Sequence, residues 1–270
     1  MNRTSIEYLD LSWNPIAMRC SPISEGCANC WHLRMCDRMA ANPAFPPEVR
    51  AAYAGEGPPV LINERMDEPK RRKKPAVIGV QFMGDLFHKD IHPAWIQQIF
   101  TRMKFAPQHT FIVLTKRAER MYYEMTHLSK PGWGQFHKCS NIWLGISVEN
   151  QVRAEELAYL LATPAAVRFV SFEPLLGPIY AQSYMMHSPS LTIDRGPLIP
   201  PTRLAAIPGL SWCIVGAETG PGARPMDLAW ARDLRDQCKA AGVPFFFKRV
   251  GPHYPYTPVD LMRRQWPGEA

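Results

Sequence analysis

No run of eighteen apolar residues occurs in the 270-residue chain, so no segment is long and apolar enough to span a bilayer as a helix. The opening residues, Met1 to Glu7, lack the apolar core of a secretory signal. Together these absences predict an intracellular, cytoplasmic protein with no membrane partner. No Gly-x-Gly-x-x-Gly fingerprint follows the first predicted strand, which argues against a dinucleotide-binding open sheet. Charge is not abundant either. Charged residues make up 20% of the chain and hydrophobic ones 46%, the proportions of an ordinary folded domain.

What is present is an excess of positive charge, +7 at neutral pH, and seven cysteines. The basic balance suits an anionic partner such as nucleic acid or a nucleotide. Part of it comes from one run, Lys70-Arg71-Arg72-Lys73-Lys74, which reads equally as a solvated loop or a phosphate contact. In a reducing cytosol clustered thiols bind metal or do chemistry more often than they form disulfides. Cys213 and Cys238 lie in apolar and helical surroundings and read as buried structural thiols. Cys36 is ambiguous, and Cys139 precedes a strand.

Three cysteines fall within eleven residues, Cys20, Cys27 and Cys30, spaced C-x6-C-x2-C. Pro22 and Gly26 bend the chain between them, so the segment is a loop. A short strand over Ser5–Trp13 precedes it, and the apolar spacing of Trp31 to Ala40 predicts a helix leaving it. Residues 42–75, rich in Pro, Gly and charge, read as an irregular excursion and a candidate lid.

A regular alternation follows. Val77–Met83, Thr110–Thr115, Ile142–Val148, Val167–Phe172, Trp212–Ala217 and Val243–Phe247 are Val-, Ile- and Phe-rich runs. Such runs suit strands buried on both faces. Helical patterns lie between them at Ala94–Met103, Arg117–Met125, Gln151–Leu161 and Leu228–Ala241. Repeated βαβ units predict an α/β fold, a TIM-like full or partial (β/α) barrel of about six to seven parallel strands. The runner-up is an open doubly wound sheet. One domain spanning residues 1–270 is expected, with an insertion over 180–208 near the barrel mouth.

The predicted strands end in polar groups that such a barrel would turn toward one mouth. They are Gly84-Asp85, Thr115-Lys116, Ser147-Val148-Glu149, Glu173, Glu218 and Lys248. A single charged strand end often marks only the return of the chain to water; six in succession point to a site.

Three thiolates can hold three irons of a [4Fe–4S] cluster and leave the fourth open to an exogenous ligand. That arrangement suggests S-adenosylmethionine as cofactor, with an electron donor as partner. Cys20, Cys27 and Cys30 are then the metal ligands. Strand-end carboxylates suit the ammonium and ribose hydroxyls of S-adenosylmethionine, and Gly84 before Asp85 lets backbone approach a ligand closely. Lys116, Glu173, Glu218 and Lys248 are the candidate catalytic groups. Zinc is the competing ligand, with His32 or Cys36 as a fourth donor, although the six-residue spacing fits neither common zinc pair. Three unligated thiols are the third reading.

Several longer motifs carry a resemblance. They are Trp13-Asn14-Pro15 with the thiol loop, Gly84-Asp85-Leu86-Phe87-His88, Leu114-Thr115-Lys116-Arg117 and Trp143 through Asn150. Ser171-Phe172-Glu173-Pro174-Leu175-Leu176-Gly177, Gly220 through Pro225 and Phe245-Phe246-Phe247-Lys248 complete the set. With these the chain resembles, over nearly its whole length, the phage Gp37/Gp68 family, described as a domain of unknown function. More loosely it resembles divergent radical S-adenosylmethionine enzymes, whose usual loop is C-x3-C-x2-C. The resemblance implies an enzyme that reductively cleaves S-adenosylmethionine to start radical chemistry, in the host cytoplasm if phage-encoded. It also implies Gly84, Asp85, Ser147 and Glu149 as the S-adenosylmethionine contacts, with Gly84 and Asp85 at the turn that binds its amino group and Ser147 and Glu149 at the strand end that meets its ribose. A nucleic-acid base or nucleotide is the implied substrate, as in phage DNA modification. The alternative is a zinc-stabilised nucleic-acid-binding protein without catalytic activity.

Overall fold

The computed structural model describes residues 1–185 and 209–269. The expected insertion over 180–208 therefore falls mostly outside the described residues. The strands are β1 (Asn2–Arg3), β2 (Leu11–Trp13), β3 (Ile16–Ala17), β4 (Val60–Leu61) and β5 (Val77–Val80). They continue with β6 (Thr110–Thr115), β7 (Ile142–Ser147), β8 (Val167–Phe172), β9 (Trp212–Val215) and β10 (Phe245–Phe247). The helices are α1 (Trp31–Ala40), α2 (Pro47–Ala54), α3 (Asn63–Met66), α4 (Glu68–Arg71) and α5 (Pro93–Lys104). After them come α6 (Ala118–Leu128), α7 (Gln151–Ala154), α8 (Leu157–Ala162), α9 (Gln182–Met185) and α10 (Leu228–Ala241).

Eight strands form one mostly parallel sheet in the order β1-β2-β5-β6-β7-β8-β9-β10, and β3 and β4 pair separately. The α/β alternation is as expected, and the eight strands include the antiparallel β1 beside the parallel strands, of which about six to seven were expected. Among the described residues, however, the sheet does not close into a barrel. Its two end strands explain why. β1 is a two-residue antiparallel addition to β2. The outer edge of β10 is taken by the chain itself: Phe247 N donates to Arg263 O at 2.7 Å and Gln265 N to Phe245 O at 3.1 Å. Trp266 then stacks on Trp212, ring centroids 4.9 Å apart.

The chain divides into two compact units, Met1–Gly145 with Pro164–Ala166, and Ile146–Thr163 with Val167–Ala270. In the first, β2, β5 and β6 run parallel. Pro93 begins α5 after the His92 cap, whose Nδ1 accepts from Ala94 N at 3.2 Å. Ile96, Ile99, Phe100 and Met103 form its buried stripe. Gln81, at φ 55°, ends β5 earlier than the apolar run predicts. The excursion over 42–75 is more ordered than expected, because α2, α3, α4 and β4 lie within it. Val49, Ala52 and Tyr53 of α2 pack with Ala17 and Cys36 in a buried cluster that anchors it.

In the second unit β8, β9 and β10 run parallel. Asp227 caps α10 by accepting from Ala229 N at 2.8 Å, and Gly242 ends it in the left-handed conformation. Ala231, Leu234 and Cys238 are its buried face. Cys213 and Cys238 are both fully buried, as the sequence predicts of structural thiols. Among the described residues, no helix is long and apolar enough to cross a membrane.

Candidate functional site

In the first unit the thiol loop is held from four directions. Gln81, fully buried, pairs both backbone polar groups of Ile16: its Oε1 accepts from Ile16 N at 3.0 Å and its Nε2 donates to Ile16 O at 2.8 Å. Four residues on, Cys20 N donates to His32 Nε2 at 3.2 Å. Ser21 Oγ lies 2.7 Å from His88 Nε2. Arg117 completes the frame by donating to Ser21 O at 3.0 Å and Ser21 Oγ at 3.1 Å. Cys27 ends a 3-10 turn whose N–H is bonded to Ser24 O, and Cys30 stands at the N-cap of α1. Arg120 in turn fixes the segment carrying His88, donating to the carbonyls of His88 and Ile91.

Arg117 links the loop to Asp85. Its Nη1 donates to Asp85 Oδ2 at 2.8 Å and reaches Cys20 Sγ at 3.6 Å. Asp85 also accepts from Thr115 Oγ1 at 2.6 Å, Phe87 N at 2.9 Å and Lys116 N at 3.2 Å. These four donors fill the acceptor positions of one carboxylate. Gly84 beside it has φ 135°, and a Cβ there would lie 2.7 Å from Met18 Sδ. Only glycine fits this turn, which packs against Met18 in the segment between β3 and Cys20.

The thiols differ in how readily they ionise. Burial pushes Cys20 up to about 11, against the opposing pull of Arg117. Cys30 is also raised, first by burial, with the charge of Cys27 adding to it. At Cys27 burial acts upward too, but hydrogen bonds from Ser24 and the backbone, with the Lys116 ammonium, bring the net value below the ordinary one. Cys36, buried against His32 Nε2 at 3.3 Å and Met18 O at 3.5 Å, is pushed up to about 12 by burial. Burial lowers His32 to about 4, so its imidazole is neutral at physiological pH.

The charge of Cys27 thus raises both Cys20 and Cys30, while Arg117 favours the thiolate of Cys20 and Lys116 those of Cys27 and Cys30. Among the described residues, no three His, Cys, Asp or Glu side chains are placed close enough together to hold a single metal ion. The donor chemistry, three thiols on one braced loop, suits the thiolate ligation of an iron–sulfur cluster or of zinc.

The second unit carries the remaining predicted residues. Ser147 is nearly buried and Glu149 fully so. Asn150, next along, caps α7 by accepting from Arg153 N at 3.1 Å. Glu173 and Lys248 do meet: Lys248 Nζ lies 2.9 Å from Glu173 Oε1, and Ser171 Oγ donates to Oε2 at 3.0 Å. Gly216 makes room for this pair, since a Cβ there would fall 2.4 Å from Glu173 Oε1. Glu218 is turned to another task. It takes Arg224 in a bidentate grip, Nη2 to Oε1 at 2.6 Å and Nε to Oε2 at 2.9 Å, and also accepts from Arg224 N at 2.8 Å. It thereby clamps the loop that contains Gly220 and Gly222.

Sequence reasoning did not assign roles to Gln81, Ser21, Arg117 or Arg224. Ser21, Arg117 and Arg224 do stand inside the motifs that carry the resemblance; Gln81 gave no signal beyond being polar. Residues 3–266 match the family described as a protein of unknown function (DUF5131). No curated protein and no solved structure matches the chain.

Proposed function

The chain belongs to that family of unknown function, and we propose for it a radical S-adenosylmethionine-like iron–sulfur enzyme acting on a nucleic-acid base or nucleotide. Cys20, Cys27 and Cys30 would hold a [4Fe–4S] cluster. When bound, such a cluster supplies the electron that cleaves the sulfonium of S-adenosylmethionine. The observation that carries this reading is the thiol loop itself. Cys20, Cys27 and Cys30 stand on one braced loop, with Arg117 Nη1 3.6 Å from Cys20 Sγ and the charge of Lys116 acting on Cys27 and Cys30.

In this reading Arg117 orients Cys20 and keeps its sulfur compatible with the thiolate form. Asp85, its acceptors already filled, acts by holding Arg117. Lys116 favours the thiolates of Cys27 and Cys30. Within the second unit, the Lys248–Glu173 ion pair is the group able to hold or move a proton, at Lys248 Nζ. The phage-family resemblance and the basic balance support the nucleic-acid substrate class.

A second reading, a zinc-stabilised nucleic-acid-binding protein without catalysis, has one observation in its favour. His32 and Cys36 stand one turn apart on α1 with Nε2 and Sγ 3.3 Å apart, a neutral imidazole beside a thiol. Anaerobic reconstitution separates the two. The enzyme reading expects about four irons and four sulfides per chain, and 5′-deoxyadenosine once S-adenosylmethionine and reductant are added. Serine at Cys20, Cys27 or Cys30 should abolish iron retention. A colourless protein carrying one zinc, with S-adenosylmethionine left intact, would sink it.

A further inference from the structure

The basic run Lys70-Arg71-Arg72-Lys73-Lys74 takes no part in the thiol loop. Lys70, Arg71, Lys73 and Lys74 are exposed, yet the backbone beneath them is pinned. Buried His109 sets its Nε2 3.1 Å from both Pro69 O and Arg72 O. Gln108 donates its amide to Arg72 O at 2.9 Å, and Arg71 donates to Glu64 O at 3.0 Å. A loop that served only to meet water would leave those carbonyls to water.

The neighbouring acids do not neutralise the lysines. Asp67 is taken by Arg102 at 2.9 Å and Glu68 by the Met1 amino group at 2.5 Å. Among the described residues, Lys70, Lys73 and Lys74 form no ion pair. Arg71, Arg72, Lys73 and Lys74 line a shallow, open depression that also touches Met1, Leu11 and Glu68. Like charges held together on a braced backbone repel, and a polyanion laid along them relieves that repulsion.

We propose that this rim of the first unit binds the sugar–phosphate backbone of nucleic acid. A line of cations matches a ligand with repeated charges, where a lone phosphate would call for converging donors. A membrane surface is disfavoured because no large exposed hydrophobic residue lies between Val60 and Val77 to anchor in lipid. The inference rests on the nucleic-acid partner of the proposed function and not on its chemistry.

The test is fluorescence anisotropy of a labelled mixed-sequence DNA duplex, titrated with full-length protein across about 50 to 200 mM salt. Three proteins are compared: wild type, the triple variant Lys70→Gln, Lys73→Gln, Lys74→Gln, and a charge-matched control, Lys130→Gln, Lys138→Gln, Lys239→Gln. All six substituted side chains are exposed. The rim variant should lose at least about tenfold in affinity at low salt, and its log–log salt slope should shrink by about 3, roughly 0.9 for each phosphate no longer neutralised. The control should keep the wild-type slope. Equal loss in both variants would mean that net charge alone attracts the duplex, and an unchanged slope in the rim variant would mean that the rim is not used. Either overturns the proposal, as would binding to phosphatidylserine vesicles with none to the duplex. Circular dichroism melts of all three proteins exclude misfolding. Rim-dependent binding by a protein that leaves S-adenosylmethionine intact would overturn the enzyme reading and leave this one standing.

Discussion

Arg117 and Asp85 meet at 2.8 Å with only 11% and 6% of their side chains exposed. A pair this buried is costly to break from one side, because the surviving charge is left in a poor solvent. Asp85→Ala should therefore lower stability by about 3 to 5 kcal/mol. Replacing both residues, as Asp85→Leu with Arg117→Met, should recover part of that loss, the remainder being the cost of leaving Thr115 Oγ1, Phe87 N and Lys116 N without their acceptor. Urea unfolding of the two variants measures it; equal destabilisation would show that the pair is not the unit that matters.

The thiol loop should react in a set order when free of metal. Cys27 lies below its ordinary ionisation range, while Cys20 is held near 11 and Cys36 near 12. The thiolate is the nucleophile. Iodoacetamide at neutral pH should label Cys27 before Cys20, and Cys36 last, as read by peptide mass mapping. Labelling of Cys20 should climb steeply only as pH approaches 11. First labelling at Cys20 would contradict the loop geometry.

Stability should fall on acidification because of His32. Its folded value, about 4, lies below the roughly 6.5 of an unfolded chain. Between those values the unfolded state binds more protons, so stability rises with pH across the window and is lost as pH drops through it. The loss is on the order of 3 kcal/mol for a fully developed shift. Urea midpoints of the metal-free protein across that window should slope accordingly, and His32→Gln should flatten the slope.

Gly216 and Glu173 are coupled by space. A methyl group at 216 would lie 2.4 Å from Glu173 Oε1, so Gly216→Ala should displace the carboxylate from Lys248 and cost about 1 to 3 kcal/mol. In a Glu173→Ala background the same substitution should cost much less. Additive effects in that double-mutant cycle would rule out the steric coupling.

The α/β alternation was legible because β6, β7 and β8 are buried along most of their length and so are rich in Val, Ile, Leu and Phe. Helix α10 matches its periodicity residue for residue, since a capping Asp227 and a terminating Gly242 bracket it. The segment expected as one helix over Gln151–Leu161 instead breaks into α7 and α8, a change with no signature in apolar spacing. The barrel was not legible as wrong: closure depends on what occupies the sheet edges, and Arg263–Gln265 gave no strand signal. At the site, residue types were readable but partners were not. Asp85 with Arg117 and Glu173 with Lys248 are long-range pairs, and strand-end spacing names carboxylates without saying which cation each will meet. Glu218 is a third case, a strand-end carboxylate whose partner Arg224 its position did not name.

β10 is three consecutive phenylalanines at the end of a sheet, covered along its outer edge by residues 263–265 and flanked by Trp266. Bare, that strand would offer unpaired amides and aromatic side chains to a second molecule, the usual start of edge-to-edge aggregation. The tail thus serves as a built-in guard of colloidal behaviour. Proteolysis or truncation that strips it would show first as loss of solubility, before any loss of the thiol loop's structure.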